Sequence, residues 1–201
     1  MKVGMIFECG PAGADKAVCE LLACRLEPSI QIVSITLDNK SKLLADCGQA
    51  VARLFQDSCK HVVIVWDLYP PWRTSRAKPC RKEDRQAIAR SLKKANVKSK
   101  PVYLVCIEEE LEAWLIADGR ALSTVLSRPA HPVKVKDTSR PERIGAPKTQ
   151  LNKLFQQYRG QPYTDRYHAE KIVKAMPNLN RIRRCATFVR FAIKATGVTP
   201  Q

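Results

Sequence analysis

Acidic side chains stand at the carboxyl ends of three apolar runs, and their type and placing suit metal-assisted chemistry. Glu8 follows VGMIF (3–7), and Asp67 follows HVVIVW (61–66). Glu108, Glu109, Glu110 and Glu112 follow PVYLVCI (101–107). Carboxylates converging from separate strands are hard oxygen ligands of the kind that Mg²⁺ or Mn²⁺ takes. Such ions stabilise the attacking and leaving oxygens of phosphoryl transfer. Glu112 lies one helical turn after Glu108, so the two share a face. Acids also gather at helix starts through the macrodipole alone, which gives Glu109 and Glu110 the plainer role of solvated cap residues. Asp118 falls on the sector of Leu111, Trp114 and Leu115, and is either buried with a partner or a cap for the segment beginning at Gly119.

Basic residues flank these acids. Arg73, Arg76, Lys78, Arg81, Lys82 and Arg85 follow the Asp67 run on a proline-rich stretch, where phosphate contacts would be needed. Tyr69 and Trp72 add aromatic faces that could stack an unpaired base, worth ~1–3 kcal/mol per base. Lys148, inside APKTQL, could contact phosphate or orient a carboxylate. Arg181, Arg183 and Arg184 cluster on one short segment and could meet phosphate, a partner's acidic surface or Asp118. The net charge of +16 is uneven: residues 1–60 are neutral, whereas residues 131–201 hold fifteen basic and four acidic side chains. A neutral core with a basic flank suits a polyanion such as DNA or RNA. A carboxylate pocket can face a polyanion when metal stands between them.

Other chemistries find little support. ECGPAGADK lacks both the GK[ST] of a P-loop and the GxGxxG spacing. Cys9 lacks the anion-cradling glycines and nearby Arg of a phosphatase nucleophile. No GxSxG elbow supports a serine hydrolase. The eight cysteines form no CxxC pair and the three histidines are scattered, which predicts reduced, buried thiols. No apolar run approaches the ~20 residues of a membrane span. The short apolar stretch after Lys2 does not read as a signal peptide, so a cytoplasmic location is expected.

The elements that must position these residues alternate. Strands are predicted at 3–7, 30–37, 61–66 and 101–107, with helices at 14–26, 41–56 and 82–95 between them. That order implies right-handed crossovers and an α/β fold with a mainly parallel four-stranded sheet. Ligands of such sheets bind beyond the carboxyl ends of the strands, where the acids fall. A helix opens at EEELEAWLIADG, a Pro- and Lys-rich loop covers 128–147, and helices follow at 147–158, 165–175 and 178–195. Residues 1–127 are thus expected to form the α/β domain, and 128–201 a basic helical extension packed on it.

The order strand–Glu8–Cys9–Gly10–helix, then strand–Asp67, resembles the TOPRIM domain of topoisomerases, primases and OLD-type nucleases. More closely, the chain resembles the RloB-like, TOPRIM-related proteins of bacterial defence systems, through FECGPAGADKAV (7–18), VVIVWD (62–67), IEEELEAWLIAD (107–118), APKTQL (146–151) and RRCATFVRF (183–191). The resemblance implies a TOPRIM-like Rossmannoid fold and a Mg²⁺- or Mn²⁺-dependent nuclease in anti-phage defence, paired with an ABC-type ATPase. It leaves assembly into a homo-oligomer open. It makes Glu8 and Asp67 metal ligands, with Glu112 supporting the acidic site. Two departures stand out. The family's DxD reads Asp67-Leu68-Tyr69, so Glu110 or Glu112 would replace the second acid, and Asp15 lies near the Glu8 corner as another. Alternatively, the metal site is degraded and the protein binds nucleic acid or regulates an ATPase without cutting.

Overall fold

The computed structural model describes residues 1–69, 78–97 and 101–200; Trp72, Arg73 and Arg76 lie outside them. Four apolar runs form strands β1 (Lys2–Phe7), β2 (Gln31–Thr36), β3 (His61–Asp67) and β4 (Val102–Ile107). Helices α1 (Ala14–Leu26), α2 (Lys40–Gln56) and α3 (Arg81–Lys94) connect them in turn. All neighbours are parallel and the strand order is β2-β1-β3-β4. This is the α/β fold with a parallel four-stranded sheet that the strand–helix alternation predicts.

Both faces of the sheet are covered, which is why β1 and β3 are almost continuously apolar. Met5, Phe7, Val63, Val65 and Ile107 face one apolar core; Ile6, Ile64, Trp66 and Cys106 face the other. The second core is closed by α2 and α3, which approach so nearly that a Cβ on Gly48 would stand 2.1 Å from the Ser91 carbonyl oxygen. The first core takes α1 and the helices of the C-terminal half of the chain. Leu151, Phe155, Ile172, Phe188 and Phe191 belong to the same buried cluster as Val3 and Met5. The helices of this half therefore complete the sheet's own core. The Arg25 guanidinium ties α1 to them by donating to the carbonyls of Val173 (2.8 Å) and Met176 (2.9 Å).

Beyond β4 the helices are α4 (Glu112–Leu115), α5 (Gly119–Leu126), α6 (Pro147–Arg159), α7 (Asp165–Ala175) and α8 (Ala186–Thr196). Two segments depart from the expected pattern. The helix opening at EEELEAWLIADG is a single turn, because Asp118 turns extended and its carboxylate caps α5 through the Arg120 and Ala121 amides. The helix expected at 178–195 begins only at Ala186. Residues 182–184 form a 3-10 turn, and the Glu142 carboxylate accepts the Ala186 and Thr187 amides that open α8. No disulfide joins the cysteines, but Cys24 and Cys80 are exposed, so the expected burial fails at those two. Among the described residues no helix is long and apolar enough to cross a membrane.

Candidate functional site: an acidic pocket at the carboxyl ends of the strands

The sheet register fixes where the two leading acids emerge. Phe7 lies between Thr36 and Val65, so Glu8 leaves β1 beside the end of β3, and Asp67 is level with Ile107 of β4. Side chains alternate along a strand. Asp67 therefore shares the face of Val63 and Val65, toward α1 and α4, whereas Trp66 points to the opposite core. There the Trp66 indole N–H donates to Asp84 at 3.1 Å.

Asp67 Oδ2 accepts the Leu111 amide at 3.3 Å, and Oδ1 is buried without a hydrogen-bond partner. Glu8 Oε2 is likewise buried and unpartnered. Burial, then the charges of Asp15, Glu8 and Glu112, push the Asp67 carboxyl well above its ordinary range. Burial raises Glu8 to about 8, with Lys40 opposing and Asp15 adding to the rise. Glu112, only 4 % exposed, is raised to about 7 by burial against the opposing charge of Lys148. Asp15 is raised to about 6, by burial first and Asp165 second. These four carboxyls feel one another, and near neutrality the pocket holds protons where another cation could stand.

Asp15 enters the group because the Glu8 corner turns tightly. The Gly13 amide donates to the Gly10 carbonyl at 2.8 Å, and a Cβ on Gly13 would stand 2.3 Å from the Cys9 Cβ. Only glycine allows that approach, which starts α1 at once and sets Asp15 in its first turn. Cys9 packs here as a thiol: burial, then Asp15, push it up to about 12, the opposite of an activated nucleophile.

Two lysines bracket the pocket. Lys40, at the start of α2, donates to the carbonyls of Asp67 and Leu68 (both 2.8 Å) and pairs with Asp84 at 3.2 Å. It thereby holds the end of β3. Lys148, in the first turn of α6, bonds Asp165 at 2.6 Å and lies 3.9 Å from Glu112. Lys148 thus stands among carboxylates while remaining half-exposed. Tyr163 is buried beside Glu112, and burial first and that charge second keep its hydroxyl protonated.

The remaining acids after β4 divide. Glu108 pairs with Arg81 at 2.9 Å. Glu110 accepts the Lys148 amide at 3.1 Å, so the carboxylate named as a substitute ligand serves the start of α6. Glu109 has left-handed backbone (φ 62°), and its carbonyl takes the Tyr69 amide. Asp118 is wholly buried as the α5 cap, apart from the pocket chemistry. Arg181 pairs with Asp137, so it does not reach Asp118 as an ion pair. Arg183 and Arg184 are exposed on the 3-10 turn, and Arg184 donates to the Thr138 carbonyl at 3.2 Å. Lys82 is exposed on α3.

The donor set is all oxygen, with two orphaned buried atoms, and this fits a hard divalent cation. Among the described residues no three acidic, histidine or cysteine side chains converge closely enough to hold an ion by themselves. Mg²⁺ is commonly held by only one or two carboxylates, with water and substrate phosphate filling its octahedron. Glu8 and Asp67 meet that requirement.

A family model described as Domain of unknown function (DUF4276) matches residues 12–193, a span that includes Asp15, Asp67, Glu112 and Lys148. No curated protein and no solved structure matches the chain.

Proposed function

The chain belongs to the DUF4276 family, a domain of unknown function, and from its acidic pocket we propose that it is a divalent-metal-dependent phosphodiesterase acting on nucleic acid. The observation that carries the proposal is the pair of buried, unpartnered oxygens, Glu8 Oε2 and Asp67 Oδ1, at the ends of adjacent parallel strands. Burying carboxylates without partners costs stability, and a bound cation is the compensation that such a site invites.

In this reading Glu8 and Asp67 hold Mg²⁺ or Mn²⁺. When bound, the ion stabilises charge developing on the phosphate oxygens and favours deprotonation of an attacking water. Glu112, raised to about 7, is matched to accept a proton from that water near neutral pH. Lys148 lies beside it and keeps the Glu112 carboxylate charged often enough to act. Lys40 fixes the Asp67 backbone carbonyl and so holds the strand end that carries the carboxylate. The resemblance to RloB-like, TOPRIM-related proteins extends the proposal to an effector role in anti-phage defence beside an ABC-type ATPase.

A second reading is a non-catalytic subunit that binds nucleic acid or regulates an ATPase. It is favoured by Tyr69, which occupies the second acid's place and is 39 % exposed. Titration with Mn²⁺ and cleavage of plasmid, single-stranded DNA and tRNA separate the two. The nuclease reading expects millimolar or tighter ion binding and cleavage lost in Glu8→Ala and Asp67→Ala. Cleavage that survives both substitutions, or no ion binding at millimolar concentration, overturns it.

A further inference from the structure

The sheet ends at β4, whose outer edge has no strand partner among the described residues. Over that edge, between α3 and α8, lies a hollow of about 450 Å³. Its floor is Trp66 and the β4 residues Val102 to Leu104, and its walls carry Arg81, Arg85, Arg190 and Lys194. A second hollow, of about 610 Å³, adjoins it across α3 and shares Arg81 and Arg85 while adding Lys82. Among the described residues no carboxylate lines either one. Five cations thus line a trough made of two adjoining hollows with no carboxylate in their described linings, Arg81 being paired with Glu108 just past β4.

The trough has direction as well as charge. Arg81 sits at its pocket end, where it pairs with Glu108 just past β4. Lys194 marks the far end, with its ammonium 4.7 Å from the Tyr103 ring centroid. The β4 edge spans roughly 16 Å at ~3.3 Å per residue, and amides along it with no strand partner are phosphate donors as readily as side chains are. A hollow of this volume is of the order that encloses one drug-sized ligand. A duplex cannot enter it, whereas a single strand can lay a nucleotide on the apolar floor with phosphates against the cations.

We propose that this trough binds the phosphodiester backbone of single-stranded nucleic acid and leads it along β4 to the acidic pocket. The proposal rests on the polyanion half of the function proposed above and not on the metal. Binding is therefore read without ions, by fluorescence anisotropy of labelled single-stranded and duplex oligonucleotides with the full chain in EDTA. Single strands are expected to bind more tightly than duplex. Arg190→Ala/Lys194→Ala is expected to weaken single-strand binding more than tenfold. It should also flatten the dependence of log K on log salt by about 1.4, at ~0.7 for each of two phosphates no longer neutralised. Lys171→Ala/Lys174→Ala, exposed on α7 and lining neither hollow, serves as the surface-charge comparison and should change binding less. Circular dichroism confirms that each variant is folded, and Arg85→Glu offers an independent substitution on α3. Equal binding of wild type and the α8 double variant, duplex binding as tight as single strand, or full competition by equimolar inorganic phosphate overturns the proposal. Glu8→Gln should bind single strands normally even if it cleaves nothing, so a failure of the metal reading leaves this result distinguishable.

Discussion

The Leu111 amide donates to Asp67 Oδ2 at 3.3 Å, tying the end of β3 to the turn that opens α4. The bond leaves the other Asp67 oxygen unpartnered, like Glu8 Oε2, in a pocket whose charge it shares with Glu8, Asp15 and Glu112. How that pocket manages its charge can be read in solution.

Stability without metal should fall as pH rises. Folding raises Glu8 from 4.5 to about 8, Glu112 from 4.5 to about 7 and Asp15 from 3.8 to about 6. Between the unfolded and folded values the native state holds more protons than the unfolded state, so unfolding free energy declines with pH. Thermal melts in EDTA should give a higher Tm at pH 5 than at pH 8. Mg²⁺ or Mn²⁺ should flatten the profile, because an ion replaces the protons. A Tm that rises steadily across this range in EDTA contradicts the charge assignment.

Neutral isosteres should separate folding from chemistry. Asp67→Asn and Glu8→Gln remove a buried charge while keeping shape, so at pH 8 in EDTA each should melt no lower than wild type. Each should nevertheless lose the ion-induced rise in Tm and reduce cleavage by more than about 100-fold, beyond the ~10–100-fold typical of outer-shell losses. Paired melting and cleavage assays check this, and a variant that retains the ion-induced rise removes that residue from the ligand set.

Lys40 should prove structural in its cost. Its side chain is 8 % exposed and its partner Asp84 is 1 % exposed. Lys40→Met leaves Asp84 buried as an uncompensated charge, a loss of about 3–5 kcal/mol. Adding Asp84→Leu should recover part of it, as measured by urea denaturation. A single variant within about 1 kcal/mol of wild type would show that the pair does not hold the strand end.

Asp118→Ala should destabilise by about 1–2 kcal/mol, the usual cost of an N-cap. It should leave Mn²⁺ affinity unchanged, because Asp118 caps α5 apart from the pocket. Denaturation with calorimetric Mn²⁺ titration tests both halves, and a large loss of ion affinity would return Asp118 to the site.

The sheet is legible in the sequence because each strand is a short apolar run followed by turn chemistry, and amphipathic helices fall between them. Glu8 and Asp67 are legible through the rule that parallel sheets expose their carboxyl ends. Lys40, Asp165 and Tyr163 are harder to find, and Asp15 is visible only as an acid near the Glu8 corner. Asp15 reaches the pocket only because Gly13 lets the chain pass Cys9 so closely, and nothing in local periodicity signals that. Lys40 and Lys148 approach the acids from α2 and α6, across contacts of long sequence separation. The bond from the Lys148 amide to Glu110 is not legible in the sequence, because it depends on α6 beginning opposite that carboxylate. The early end of the α4 turn has a visible cue, since Asp118-Gly119 is a capping pair within an otherwise helical stripe.

The sharing of one core by β1 and α8 also constrains the order in which the molecule can be made. Val3 and Met5 on the first strand are buried in the same cluster as Phe188, Phe191 and Ala195. As the chain leaves the ribosome, the part of the β1 face that meets α8 must stay uncovered by it until α8 has been synthesised, although α1 follows β1 at once. Such late, long-range closure slows folding and exposes apolar surface meanwhile. Nascent chains halted near residue 127 should therefore be strong clients for chaperones, and release of the residues beyond it should end that dependence.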